Sequence, residues 1–187
     1  PNSHADRYPP SQYLQLFRMY QGQNGHKLLD KQSLVPLPKY TMSNTNKLYY
    51  PRHQLLWEKM DLKTQDLAHD EEHVLRVYRW AVRLAAEINI DPDLAGAAAL
   101  IHDLINIPKE SEQRPMGSEL SAIKGAEILP VAGYTQDETA EIIDAVRTCS
   151  WSRGLKATSP LGEVLQDADR LDAIGAIGIM RNMACAQ

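Results

Sequence analysis

The stretch AHDEEHVLRVYRWAVRLAAE, residues 68–87, decides the fold class. Val74, Val77, Ala81, Leu84 and Ala85, with Ile88 just beyond, recur at steps of three and four. At about 3.6 residues per turn this spacing gathers them on one helical face, whereas a half-buried strand needs strict alternation. The pattern predicts a strong amphipathic helix with that face in the core. His69 and His73 stand four apart in the same stretch, so both project from one side of it.

Working outward, the helical pattern continues on both sides. Upstream, Leu55, Leu56 and Met60 suggest a short helix. Downstream, Asp91-Pro92 reads as an N-cap followed by proline at the first helical position. The helix it opens carries Leu94, Ala97, Ala98, Ile101, Leu104 and Ile105 and stops before Pro108. A further helix is expected from Ser118 to Pro130 with Leu120, Ile123 and Ile128 buried. Thr135 and Glu138 have capping-box spacing ahead of Ile142, Ile143 and Val146. A polar loop from about Ser150 to Pro160 then leads into a last helix near Leu161. No alternating run suggests a sheet, so the reading is all-α, a helical bundle.

Composition changes near residue 50. Residues 1–50 hold Pro9, Pro10, Pro36 and Pro38, abundant Asn, Gln and Ser, and most of the tyrosines, with one short helix suggested over Ser11–Tyr20. This reads as an irregular N-terminal extension that wraps the domain or meets a second subunit of a homo-oligomer. Residues 51–187 form the domain proper.

Twenty Lys and Arg against 24 Asp and Glu give a net charge of −4 with both signs dispersed, so no dedicated nucleic-acid surface is visible. No apolar run approaches the roughly 20 residues that span a bilayer. Cys149 and Cys185 form no metal- or redox-type pair, and a reducing, cytoplasmic setting is expected.

His102 and Asp103 end the apolar run Ala97-Ala98-Ala99-Leu100-Ile101. A lone carboxylate is expensive to bury, and a divalent cation would compensate it. Asp167, Asp169 and Asp172 crowd the last helix. Singly, each group has an ordinary explanation, as a packed histidine or a solvated acidic face. Together they offer imidazoles and carboxylates from three helices, a mixed set that suits Mn, Fe, Ni, Co, Zn or Mg.

Three blocks carry a resemblance: residues 68–87 quoted above, AAALIHDLINIPK at 97–109 and LQDADRLDAIGAIGIMR at 165–181. In order and spacing they resemble the HD superfamily of metal-dependent phosphohydrolases, and most closely its YedJ-like branch. The resemblance implies an HD-domain bundle and one divalent ion on His73, His102, Asp103 and Asp169. It further implies hydrolysis of a small phosphorylated substrate, a nucleotide being one candidate, by a metal-activated water. Asp103 is then a catalytic candidate that orients or deprotonates the water, with His69 and Lys109 neutralising the transferring group. Arg76, Arg170 and Asp172 are substrate-binding candidates, although for Arg76 and Arg170 a structural ion pair is an equal reading.

The chain departs from the family pattern at several points. Asn106-Ile107 stands where some relatives have Glu-Asp, and Cys149 where relatives often have a histidine, as a packed residue or a thiolate ligand. No histidine follows His102, which favours one metal over two. Relatives continue with further helices, implying a shortened member or a missing part of the pocket wall. Three other readings compete. A zinc protease would need Glu where Asp70 follows His69. A di-iron oxygenase would need more histidines. A non-catalytic metal- or ligand-binding HD regulatory module is favoured by these departures.

Overall fold

The computed structural model describes residues 48–60, 71–107, 111–150 and 153–184. The described part is all-α: α1 (Pro51–Lys59), α2 (Glu71–Glu87), α3 (Pro92–Ile101), α4 (Gly117–Ile128), α5 (Gln136–Thr148), α6 (Pro160–Asp172) and α7 (Gly175–Ala184), with short 3-10 turns at Arg114–Met116 and Pro130–Ala132. No strand occurs among the described residues. The helix expected over Ser11–Tyr20 and nearly all of the extension lie outside them, as do His69, Lys109 and Cys185.

The centre of the bundle is α3. Asp91 caps it by accepting from the Asp93 N–H at 2.9 Å, and Pro92 occupies its first turn. Every residue from Leu94 to Ile101 is buried, because α1, α2, α4, α5 and α6 all pack on it. Its small side chains permit that close approach. At Gly96 an added Cβ would stand 2.4 Å from His53 Cε1 and 2.8 Å from Tyr78 Cε2, so only glycine fits. The helix ends at Ile101, earlier than its apolar pattern suggests, and Leu104 and Ile105 fall in the turn beyond, where Ile105 is exposed.

α2 buries Val74, Val77, Ala81 and Ala85 as its periodicity requires. It stops at Glu87, because Asn89 adopts φ 59° and lets the Ile90 N–H close on Ala85 O at 3.0 Å. Ile88 therefore lies in the capping turn, partly exposed. The capping box at Thr135 forms in both directions.

Two further expectations are corrected. α4 turns Ser118, Ser121, Ala122 and Gly125 inward, while Ile123 is exposed and Leu120 and Ile128 are only partly buried. The reason is space: a Cβ at Gly125 would meet Ile101 Cδ1 at 2.5 Å, so the seam accepts only small residues. The helix expected from near Leu161 is not the last: it breaks after Asp172, and Gly175 at φ 74° starts α7. No described helix is long and apolar enough to cross a membrane.

Candidate metal centre

Three helices deliver the site. His73 comes from the first turn of α2, His102 and Asp103 from the turn that closes α3, and Asp169 from the last turn of α6. His73, His102 and Asp169 each offer a ligand atom, and these atoms lie within 4.8 Å of one another. Asp103 Oδ2 stands 3.6 Å from His73 Nε2 and 3.5 Å from His102 Nε2. Asp169 Oδ1 stands 3.5 Å and 4.0 Å from the same two nitrogens. The histidines are 1% and 2% exposed and the carboxylates 27% and 30%, so the imidazoles form a floor and the acids an open rim.

Hydrogen bonds decide which nitrogen of each ring faces the cluster. His102 Nδ1 donates to Ala99 O at 2.6 Å, so the neutral ring directs its lone pair, on Nε2, at the cluster. That atom is buried and has no hydrogen-bond partner, one of only two such side-chain atoms among the described residues. A lone pair directed at two carboxylate oxygens is repulsive unless a cation lies between them. A divalent ion fits this donor set of two imidazoles and two carboxylates.

His73 Nδ1 donates to Asp172 Oδ2 at 2.8 Å, and Arg76 donates to Asp172 at 2.6 and 3.2 Å. Asp169 and Asp172 are three apart on α6 and share a face, so they bracket the His73 ring, one at each nitrogen. Burial opposes a charge on His73, but hydrogen bonds to Asp103 and Asp172 and the charges of Asp103 and Asp169 outweigh it, raising its pKa to about 9. The cluster is thus built to hold positive charge.

The structure therefore brings together His73, His102, Asp103 and Asp169. It places Asp172, 4% exposed, at the nitrogen of His73 that faces away from the rim, with Arg76 bound to it. Arg170 is held on α6, 3.4 Å from Asp167 and 2.8 Å from Gln166 Oε1. Cys149 caps the end of α5, buried. Burial pushes its thiol well above the usual range, and the charges of Asp103 and Asp169 push it further, which keeps it protonated. Sequence reasoning missed the part Asp172 plays behind His73. The i, i+3 spacing of Asp169 and Asp172 was the available signal, but the histidine it brackets lies 99 residues away.

Residues 71–174 match the family model described as the HD domain. The chain is 34% identical over 129 residues to YpgQ of Bacillus subtilis, covering 67% of this chain and 60% of YpgQ. It thus spans about 60% of the length of the curated relative it matches. Among solved structures, a predicted HD superfamily hydrolase from an uncultured Thermotogales bacterium is 34% identical over 71% of this chain and 72% of its own, with a TM-score of 0.54. A Lactobacillus plantarum protein is 29% identical over 75% and 65%, with a TM-score of 0.59. YpgQ in complex with ADP is 32% identical over 72% and 64%, with a TM-score of 0.56.

Proposed function

Because this chain belongs to the HD domain family, we propose that it is a metal-dependent phosphohydrolase whose substrate is a phosphate ester of nucleotide type. The observation that carries the reading is His102 Nε2, buried and unpartnered opposite two carboxylates. The complex of YpgQ with ADP supports the substrate class.

In this reading His73, His102, Asp103 and Asp169 would hold one divalent ion, whose chemistry there would be to polarise a phosphoryl oxygen and make a water more acidic. Asp103, on the rim, would accept a hydrogen bond from the attacking water, orient it and take its proton as the water oxygen bonds to phosphorus and the ester P–O bond breaks, the proton then passing to the departing oxygen. The buried imidazoles keep bulk water from the floor of the site. Arg170, next to Asp169 and partly exposed, is the proposed phosphate contact on α6. Arg76 has its guanidinium against Asp172 and acts in support of the ligands. His69 and Lys109, outside the described residues, belong to the same proposal as groups that offset charge on the transferring phosphoryl.

The test is a panel of phosphate esters, with nucleoside mono-, di- and triphosphates, assayed with Mn, Ni, Co, Fe, Zn and Mg. Turnover with at least one ion, lost in His102→Ala and Asp103→Ala that keep helical circular dichroism, is the expected result. Metal retention without turnover of any ester would leave the non-catalytic regulatory module as the reading. Failure of the wild-type chain to retain any divalent ion would end the metal-dependent reading.

A further inference from the structure

The two imidazoles of the cluster are held in different ways. His102 leans on a backbone carbonyl, a neutral acceptor that no substitution removes. His73 leans on Asp172, a carboxylate that is 4% exposed and is itself fixed by Arg76 through two hydrogen bonds. We propose that Asp172, clamped by Arg76, is a positioning residue that fixes His73 with Nε2 toward the cluster and makes it the stronger metal donor of the two histidines. The proposal rests on the metal-dependent reading above.

A buried imidazole can carry its proton on either nitrogen, and the partner at one nitrogen decides which lone pair is left for a ligand. A carboxylate can only accept, so Asp172 excludes the arrangement in which His73 Nδ1 is bare. A charged acceptor also pushes electron density into the ring and raises its basicity at Nε2, which a neutral carbonyl does less. Arg76 serves the carboxylate instead of the ring. A carboxylate buried as deeply as Asp172 needs a cationic partner of its own, and Arg76 supplies it at 2.6 Å.

The test uses the full chain and cobalt, titrated calorimetrically and by its visible absorption. Asp172→Ala should weaken cobalt binding about 10- to 100-fold, the range for loss of such a partner. Asp172→Asn, which keeps the shape and can still accept from Nδ1, should recover part of that affinity while shifting the cobalt band. Arg76→Met should fall between wild type and Asp172→Ala. Asp93→Asn, which removes a carboxylate bonded to another buried histidine, controls for structural damage: it should lower the melting temperature and leave cobalt affinity unchanged. Wild-type affinity and band position in Asp172→Ala would overturn the proposal. Should that variant not fold, unchanged affinity in both Asp172→Asn and Arg76→Met would overturn it equally. A wild-type chain that binds no cobalt or other divalent ion would sink the metal-dependent reading itself, a result separate from any variant.

Discussion

At each end of α3 a buried histidine meets an aspartate, His53 of α1 at the first and His102 at the second, and the two clusters are resolved in opposite ways. At the N-terminal end, His53 Nε2 lies 2.8 Å from Asp93 Oδ1, and His53 Nδ1 lies 2.9 Å from the Tyr78 hydroxyl. The Tyr49 N–H donates to that hydroxyl at 2.6 Å. Arg52 bonds Asp93 at 2.7 Å and Glu138 at 3.0 Å, and Tyr134 donates to Asp93 at 2.9 Å. Both ring nitrogens and the acid are satisfied by the chain itself. At the C-terminal end, His102 Nε2 has no partner, and two carboxylates face it. The helix dipole acts in the same sense, favouring an anion such as Asp93 at the first end and a cation at the second. A buried His–Asp pair is thus no sign of a metal by itself; the sign is a buried ring nitrogen that the protein leaves without a hydrogen bond.

The hardest way to break this comparison is to delete a histidine from each cluster. His102→Ala should weaken divalent-ion binding by more than the roughly 100-fold that outer partners reach, with the helical spectrum kept. His53→Ala should do the reverse, lowering unfolding free energy by about 3 kcal/mol as Asp93 and Tyr78 lose a buried partner, with metal affinity intact. Denaturant titration alongside calorimetry reads both; loss of metal in His53→Ala would erase the distinction.

A second test adds the ion instead of removing a ligand. At a free concentration about 100 times its dissociation constant, a bound ion should raise stability by about 2.7 kcal/mol, and chelation should reverse it. In His102→Ala the increment should vanish, whereas in Asp93→Asn it should persist.

Gly96→Ala sharpens the contrast at the first cluster. Its Cβ would strike His53 and Tyr78, and overpacking of this kind costs about 1–3 kcal/mol. The C-terminal cluster should keep its ion affinity.

The smallest effect is one of pH. Burial works to raise the Asp93 pKa, but hydrogen bonds from His53, Arg52 and Tyr134 overcome it and hold the carboxyl below its usual value. A folded-state pKa that is depressed adds stability above the unfolded value of about 3.9, and that stability is lost as pH falls toward the folded value. Acid unfolding curves of wild type should therefore steepen in that window relative to Asp93→Asn. Parallel curves would remove Asp93 from the account.

Much of this was legible in the chain because the signals are local. The Asp91-Pro92 start, the Thr135–Glu138 box and the inward face of α2 depend on residues close to one another in the chain. The residues of the candidate site could be named for a related reason: a His-Asp doublet at the end of an apolar run, and three acids on one helix, are unusual wherever they fall. What could not be read depends on distant partners. Ile123 is turned outward because Ile101 already fills the space facing Gly125. The helix break before Gly175 follows from a backbone angle that a glycine allows but does not demand. His53 gives no local hint that Asp93 and Tyr78 will enclose it, 40 and 25 residues away.

The position of α3 has a kinetic consequence. A helix sheathed by five others cannot fray by itself, so its amides become open to solvent deuterium only when the whole bundle opens. The turn bearing His102 is anchored to that slowest segment, whereas Asp169 rides near the end of α6, shortly before a glycine junction. Deuterium uptake should reach the final turn of α6 long before it reaches Ala97–Ile101, so the wall of the cluster that loosens first is the one formed by the carboxylate of α6.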